Sequence, residues 1–232
     1  MKASIAFHAL ALSVLVTAAA GAQVGYPPNR SPFVDIERTQ EITLLGGYFS
    51  AARDPAGTAP RSGALTGVHY EWRASGPAHL TAEFAHIGSS HELIDPAKIG
   101  AARDLGVVNR SLYSFDAGLA MSLTGARTWH QIAPLLKLGA GFVSDLKGTP
   151  DSSGFKFGTR FAFTWGGGVR WIPSATGRFA VRVDVTNRLY TIGYPESFYV
   201  PPTGGTAVLS DGQARSFWTN NPAFTLGISR LF

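Results

Sequence analysis

The sequence predicts an all-β protein, an eight-stranded antiparallel up-and-down transmembrane β-barrel, and three observations lead to this fold class. From residue 41 onward, eight segments alternate apolar and polar residues with a period of two, which is the pattern of a strand with two different faces. The connections between the segments are alternately short and long. The last segment reaches an aromatic residue, Phe232.

The eight segments are each about ten residues long or slightly longer, the length of a tilted strand that crosses a membrane. In the fourth segment, for example, Phe115, Ala117 and Leu119 alternate with Asp116 and Gly118. The predicted strands are residues 41–50, 63–73, 78–87, 111–123, 132–143, 158–171, 178–190 and 217–232.

The connections predict that the two rims of the barrel differ. The short turns are residues 74–77, 124–127 and 173–177, and the long polar loops are residues 51–62, 88–110, 144–157 and 191–216. Short periplasmic turns and long outer loops are typical of bacterial membrane barrels. An even number of strands returns the chain to the side on which it began.

The N-terminal region predicts an exported protein. Lys2, an apolar run from Ile5 to Val16 and the Ala20-Gly21-Ala22 cleavage site indicate a signal peptide, residues 1–22. A retained membrane anchor is the alternative, but the apolar run is shorter than the ~18 residues that a spanning helix needs. Residues 23–40 contain three prolines and no period, which predicts a periplasmic N-terminal segment, or one that contacts the lumen, rather than a strand before the barrel domain, residues 41–232.

Periodicity alone does not decide which face of the barrel points inward. A soluble eight-stranded barrel of the lipocalin type would turn its apolar face inward around a ligand. The unequal loops, the aromatic C-terminus and the aromatic residues near the segment ends favour the membrane version, whose outer wall is apolar. These aromatic residues are Tyr48, Tyr70, Trp72, Tyr113, Trp165, Trp171 and Phe232.

In the membrane version the polar face lines a narrow lumen that is rich in charge. An eight-stranded barrel is just wide enough for its own side chains, and buried charges need partners. We therefore expect an ion-paired interior that fills the barrel, with a narrow polar path or gate as the alternative. The predicted lumen charges are Glu71, Arg73, Glu83, Asp116, Lys137, Arg160, Arg170, Arg182, Asp184 and Arg188.

Composition excludes several other kinds of chemistry. The chain has no cysteine, which excludes thiol catalysis and thiolate metal sites. Its formal charge of +5 is spread along the chain without a basic run, so no nucleic-acid partner is expected. Residues 166–168 are three glycines inside a strand pattern rather than a phosphate-binding loop. We expect no cofactor and no catalytic or metal site.

Four glycine- and apolar-rich strand motifs carry a resemblance to a known family. They are residues 134–142 (PLLKLGAGF), 165–171 (WGGGVRW), 181–185 (VRVDV) and 226–229 (LGIS). Over roughly residues 41–232 the chain resembles the outer-membrane β-barrel domain superfamily, which includes OmpA-like, OmpX-like and OmpW-like proteins. The motifs are specific for architecture and not for activity.

The resemblance implies a location in the bacterial outer membrane, with outer-membrane lipid and lipopolysaccharide as partners. It also implies contact with the barrel-assembly machinery and periplasmic chaperones during biogenesis, and we expect a monomer. Gly227 and Phe232 match the terminal assembly signal of such barrels. Arg230 departs from that signal, because an apolar or aromatic residue is usual at this position.

The favoured function is non-enzymatic, an envelope-structural or surface-interaction barrel that presents four mobile loops. One alternative is an OmpW-like passage for small or hydrophobic solutes, which a lateral opening near Pro134 or Pro222 would favour. A membrane-embedded hydrolase is less favoured, because the rim offers only His91 with Glu92 and Asp95. His69 and His79 are expected in the lumen beside glutamates, as a hydrogen-bonded pair rather than a metal site.

Overall fold

A computed structural model describes residues 31–174, 177–200 and 205–232; the predicted signal peptide lies outside these ranges. No helix in the described ranges is long and apolar enough to cross a membrane. The strands are β1 (Phe33–Asp35), β2 (Gln40–Phe49), β3 (Gly63–Ser75), β4 (Ala78–Ile87), β5 (Ser90–Ile94), β6 (Asp104–Asn109), β7 (Leu112–Ser122), β8 (Arg127–Trp129), β9 (Ile132–Ser144), β10 (Thr159–Trp171), β11 (Phe179–Gly193) and β12 (Ser216–Leu231). Within the described ranges, two short 3-10 helices, Gly100–Arg103 and Glu196–Phe198, lie in the loops.

Eight of these strands form a closed antiparallel barrel in the order β2-β3-β4-β7-β9-β10-β11-β12. The ring closes where β12 pairs with β2, from Ala223 opposite Phe49 to Leu231 opposite Glu41. The predicted all-β, eight-stranded up-and-down barrel is confirmed. Each predicted segment matches one barrel strand to within three residues at either end, because every strand carries a strong alternation.

The outward face of the barrel is apolar on every strand. On β12, Phe224, Leu226 and Ile228 are 53%, 52% and 67% exposed, whereas Thr225 and Ser229 between them are buried. Large exposed apolar side chains continue around the wall on the other seven barrel strands. A soluble protein rarely exposes a contiguous apolar area of more than a few hundred Å². This wall is therefore suited to lipid.

The four remaining strands decorate the two rims. β5 and β6 form a hairpin within the long loop between β4 and β7. At the opposite rim, β1 pairs with β8 in the turn between β7 and β9. The prediction of no strand within residues 23–40 is therefore wrong at Phe33–Asp35, because the edge of that turn offers backbone groups for pairing. Residues 31–39, here called the N-terminal strap, therefore cross the barrel mouth on the side of the short turns. The backbone N–H of Ile36 donates to the Ala126 carbonyl at 2.9 Å.

The inward side chains fill the barrel in three layers. The floor layer, next to the strap, is apolar and consists of Ile36, Ala133, Ile172, Ala180 and Leu231. The middle layer is ionic. The outer layer is apolar again and joins strand residues to residues of the long loops, namely Phe49, Ala59, Leu65, Ala85, Ile87, Ile94, Leu112, Val143, Phe155, Phe157, Ala162, Tyr190, Ile192, Phe198, Tyr199, Leu209 and Ala223.

Candidate functional site: the ionic layer and the closed mouths

The ionic layer takes charged side chains from seven of the eight barrel strands. Because side chains alternate along a strand, each of these residues points inward while its apolar neighbours point outward. Arg182 and Arg188 on β11 have no exposed surface at all. The members are Glu41 on β2, His69 and Glu71 on β3, His79 and Glu83 on β4, Asp116 on β7, Lys137 on β9, Arg170 on β10, and Arg182, Asp184 and Arg188 on β11.

One half of the layer is a group of two arginines and three carboxylates. Nη1 of Arg170 lies 2.5 Å from Oε2 of Glu41 and 3.2 Å from Oε1 of Glu71. Nη1 of Arg182 lies 2.6 Å from Oε2 of Glu71, and its Nε lies 2.7 Å from Oδ2 of Asp184. Each arginine therefore bridges two carboxylates, which offsets the desolvation of the buried charges.

The other half is centred on Arg188. Its Nη2 lies 2.6 Å from Oε1 of Glu83, and its Nε lies 3.3 Å from Oδ2 of Asp116. Nζ of Lys137 lies 3.4 Å from Oε2 of Glu83. The Thr164 hydroxyl donates to Oδ1 of Asp116 at 2.6 Å. Each carboxylate in this half thus meets a cation, and Asp116 also accepts from a neutral donor.

His69 joins the two halves. Its Nδ1 lies 3.2 Å from Glu83 and its Nε2 lies 3.4 Å from Glu71. Nδ1 of His79 lies 2.8 Å from Oε1 of Glu71. Across the described ranges, no group of three or more His, Asp and Glu side chains is arranged to hold a metal ion. Through these contacts the two histidines join the network of paired side chains.

The structure brings eight of the ten expected lumen charges together, and two lie elsewhere. Nη1 of Arg73 donates to the Ile36 carbonyl at 2.7 Å, and Nε of Arg160 donates to the Phe157 carbonyl at 2.8 Å. Both arginines sit near strand ends, so they reach the strap and a loop instead of the ionic layer. The eight that meet are Glu71, Glu83, Asp116, Lys137, Arg170, Arg182, Asp184 and Arg188.

Sequence reasoning missed Glu41 as a member of the layer. Glu41 is 2% exposed and pairs with Arg170. The signal was present, because the alternation that turns Ile42 outward must turn Glu41 inward. It also missed the two apolar layers. The loop residues of the outer layer, such as Phe155 and Phe157, belong to no strand pattern.

Gly227 and Phe232 both lie at the seam between the first and last barrel strands. A Cβ on Gly227 would lie 2.4 Å from Cγ2 of Thr43, so the seam has no room for a side chain there. The N–H of Phe232 donates to the Gln40 carbonyl at 3.0 Å, and the Gln40 N–H donates back at the same distance. Arg230 points outward near the strap end of the wall, at the edge of the apolar band.

Neither proline interrupts the wall. On β9, pairing with β10 runs without a break from Ile132 to Ser144 and includes Pro134. On β12, pairing with β11 runs without a break from Ser216 to Arg230 and includes Pro222. The carbonyls of both prolines accept bonds from residues just beyond a neighbouring strand's end, Leu123 and Ser50. In an antiparallel strand, the N and the C=O of one residue point toward the same neighbouring strand. The ring nitrogen of each proline therefore faces the end of that neighbouring strand, where no ladder hydrogen bond is needed.

The three rim residues weighed for a hydrolase, His91, Glu92 and Asp95, form no hydrogen bond or ion pair with one another in the described ranges. Glu92 pairs with Arg61, and Asp95 lies 3.3 Å from Nζ of Lys98. His91 instead lies 3.2 Å from Oδ2 of Asp151, whose other oxygen accepts from the Ser153 hydroxyl.

The carboxylate of Asp151 thus stands between the hydroxyl of Ser153 and the imidazole of His91. Activation of a serine requires the imidazole in that middle position. Burial, together with the nearby Arg110 guanidinium, lowers the pKa of His91. The group is therefore a buried polar contact between two loops.

The lumen leaves almost no free space around these side chains. A cavity of ≈ 10 Å³ lies beside Arg170 and His79, and one of ≈ 20 Å³ lies beside Lys137 and Thr164. Each is about the size that holds a single water. Along the described part of the chain, the charged layer and both apolar layers together close the barrel.

No family model matches the chain, and no curated protein matches it. Among solved structures it is similar to the N-terminal β-barrel domain of OprF from Pseudomonas aeruginosa, with 12% identity, a TM-score of 0.46, and coverage of 84% of this chain and 98% of that one. Its similarity to Neisserial surface protein A has 13% identity and a TM-score of 0.47, and it covers 83% of this chain and 97% of that one. Its similarity to a major outer membrane protein of Thermus thermophilus has 12% identity and a TM-score of 0.40, and it covers 83% of this chain and 99% of that one. Likeness at this level says nothing of activity, which depends on this chain's own side chains.

Proposed function

We propose that the protein is a non-enzymatic barrel of the bacterial outer membrane with an envelope-structural or surface-interaction role, and that its lumen is a permanent plug. One observation carries the proposal. An apolar wall surrounds an interior that is closed in three layers, with charges in the middle and apolar side chains above and below.

The wall supports the membrane location. A closed barrel leaves no unpaired sheet edge, which is the condition for a sheet to exist in lipid. The strap and the short turns then lie on the periplasmic side, and the long loops lie outside, facing lipopolysaccharide. Gly227 lies on the last strand and Phe232 follows it directly. In a secreted monomer, this C-terminal end is what the assembly machinery and periplasmic chaperones would bind.

The interior supports the plug. An ion path would require the pairs of Arg182 and Arg188 to separate, and breaking one buried pair costs about 3–5 kcal/mol. The outer layer would also have to open, and Phe155 and Phe157 are almost fully buried in it. The ladders through Pro134 and Pro222 are continuous, so the wall offers no lateral exit either.

Single-channel recording in a planar bilayer tests the proposal with the refolded protein that lacks residues 1–22. Protease protection of the barrel and its folded mobility in gel electrophoresis establish insertion first. We expect no discrete openings from the wild type or from Phe157→Ala, because the ionic layer stays closed when the outer layer loosens. Steady openings of the inserted wild type would refute the plug. A protein that refolds in micelles but never inserts would refute the membrane location.

A further inference from the structure

The β5–β6 hairpin continues the barrel wall beyond the rim of long loops. In the β4–β7 ladder Ile87 lies opposite Leu112, and in the β5–β6 ladder Ser90 lies opposite Asn109, so both ladders keep one register. The four strands therefore form one long antiparallel ribbon, whose outer part, residues 88–110, is here called the outer ribbon. Pairing of β7 with β9 ends at the rim, and in the described ranges β6 has no strand on that side.

The other sides of the outer ribbon are held by neighbouring loops. Along β5, the N–H of Glu92 donates to the Gly57 carbonyl at 3.2 Å. At the tip, Nη2 of Arg103 donates to the Thr206 carbonyl at 2.6 Å. The ribbon is therefore fixed in place along β5 and at its tip, while all six residues of β6 are exposed.

Two residues of β6 present backbone groups along this free edge. In an antiparallel pair, the N–H and C=O of one residue point the same way, and successive residues alternate between the two sides. The carbonyl of Ser90 and the N–H of Glu92 bond to the loop of residues 51–62, so both residues point away from β6. Their partners Asn109 and Val107 must then point away from β5. Among the described residues, none bonds to the N–H of Val107.

The sequence of β6 does not block further pairing at this edge. Natural edge strands are protected by lysine, proline, inward charges, bulges or a covering loop. β6 contains neither lysine nor proline, and its one irregularity of register lies at the tip, between Leu93 and Ile94 of β5. Leu105, Val107 and Val108 are 45%, 57% and 37% exposed. An exposed apolar edge of this kind is a template for another strand.

A second copy of β6 fits this edge in a symmetric register. Only outward-pointing residues can bond, so a two-fold axis at Val107 joins the two copies of Val107 through two N–H···O bonds. In that register the exposed Asp104 of each copy comes close to residue 110 of the other. Arg110, Val108 and Lys147 line one groove of ≈ 220 Å³ at that end of β6. An acid therefore meets a basic groove at both ends of the contact.

Charge favours a second copy over an unrelated strand. Lys147 is exposed, and among the described residues neither Asp104 nor Lys147 takes part in an ion pair. Exposed charges of a neighbouring loop do pair locally, as in Arg215 with Glu196. The two-fold axis brings each free carboxylate toward the free ammonium group of the other copy, twice in each pair. An unrelated strand would satisfy the backbone groups but not this charge pattern.

The direction of the outer ribbon decides where the second copy is located. The ribbon continues β4 and β7, and strands of membrane barrels are tilted by about 35–45°. A copy in the same membrane is related by rotation about the membrane normal, so its β6 rises at the same tilt and does not run antiparallel to the first. A copy in a facing membrane is inverted, which makes its β6 antiparallel.

We infer that the free edge of β6 pairs with β6 of a second copy in a facing membrane, so that the protein links two cell surfaces. The inference rests on the proposed membrane location and names a partner for the proposed surface-interaction role. The ladder is short, so one pair is weak, and many copies on two facing surfaces act together. Each barrel remains a single ring in its own membrane.

Sedimentation velocity of nanodiscs that each hold one refolded barrel tests the pairing, because the loops of a disc are freely accessible. We expect a concentration-dependent equilibrium between single discs and pairs without larger species, since a two-fold contact closes on itself. Val107→Pro removes the outward N–H without touching the β5 ladder. It should weaken pairing about 30-fold, because two hydrogen bonds are lost in each pair. Val107→Thr keeps the N–H and is the matched control.

A charge exchange tests the register and the identity of the partner. Asp104→Lys and Lys147→Glu should each weaken pairing between identical discs about tenfold, because like charges then meet at both ends. A mixture of the two variants should pair as the wild type does, because each end of the mixed pair again joins opposite charges. Lys156→Glu changes the same loop beside a different groove and is the matched control, with pairing unchanged.

Five results would overturn the inference. The wild-type discs stay single at every concentration, they form open-ended chains, Val107→Pro pairs as well as Val107→Thr, or the mixture of charge variants pairs no better than either alone. The fifth is equal competition by two peptides, one with the β6 sequence and one with the same residues scrambled, which would show that any extended strand suffices. A barrel that enters no disc would instead contradict the proposed membrane location, and the conductance test of the plug is independent of the pairing.

Discussion

Replacing Arg182 by methionine tests the ionic layer where its pairing is densest. Arg182 has no exposed surface and contacts Glu71 at 2.6 Å, Asp184 at 2.7 Å and Glu41 at 3.6 Å. Methionine keeps an unbranched apolar chain but removes the guanidinium. Five carboxylates would then face three permanent cations, Lys137, Arg170 and Arg188.

The magnitude follows from what the carboxylates retain. Glu41 and Glu71 both keep Arg170, and Asp184 keeps Lys137 at 3.9 Å, so none is left without a cation. The loss should therefore match one broken buried pair rather than three, about 3–5 kcal/mol. With a urea dependence of about 2 kcal/mol per M, the unfolding midpoint should fall by about 2 M.

Urea unfolding in lipid vesicles measures this shift by tryptophan fluorescence, since Trp72, Trp165, Trp171 and Trp218 lie on the outer wall. Adding Glu71→Gln to Arg182→Met should recover part of the loss, because it removes a carboxylate that has lost a partner. An unchanged midpoint for Arg182→Met would refute the pairing argument. A double variant less stable than the single one would refute the charge-balance part of it.

Three further predictions concern other parts of the molecule. Gly141→Ala should destabilise the barrel by about 1–3 kcal/mol, because its Cβ would lie 1.8 Å from the Phe115 carbonyl oxygen, whereas Gly46→Ala, which faces open space, should have no such effect in the same urea assay. The pKa of His91 is lowered in the folded protein, so protonation at low pH favours the undocked loop over the docked one. Backbone amides of β5 should therefore exchange hydrogen faster at pH 5 than at pH 7.5, once the rates are divided by those of an unstructured chain at the same pH. Equal corrected rates at the two pH values would contradict this. Arg73→Gln removes the 2.7 Å bond to Ile36 and should speed proteolysis within the strap with a smaller midpoint change than Arg182→Met; equal cleavage rates would show that the bond does not hold the strap.

The fold was predictable because, in every barrel strand, the alternation of apolar and polar residues alone identifies the outward and the inward face. Alternation such as Val181, Val183 and Val185 against Arg182 and Asp184 defines both the strand and its inward side. The register is then constrained, because a slip of one residue would put arginine into the lipid-facing wall. The inward charges were found for the same reason.

The pairing within the layer and the closure of the mouths were not predictable in this way. Which carboxylate meets Arg188 depends on the stagger between strands, and Glu83 and Asp116 lie about 70 to 105 residues away from it in sequence. Arg73 satisfies the same alternation as Glu71 yet reaches the strap, because position along the strand, rather than face, decides its partner. Loop residues such as Phe155 are buried in the outer layer, but the loop sequence has no apolar periodicity from which this could be predicted.

The dispersal of the ionic layer over nearly the whole barrel has a consequence for biogenesis. Glu41 on the first barrel strand and Arg182 on the seventh lie in one network with residues of the strands between them. A partly assembled sheet would therefore hold charges whose partners have not yet arrived, and such a sheet is not tolerated by hydrocarbon. The interior must remain wet until the first and last strands meet. We expect that water to leave when the first and last strands pair, because the network between Glu41 and Arg182 is then complete.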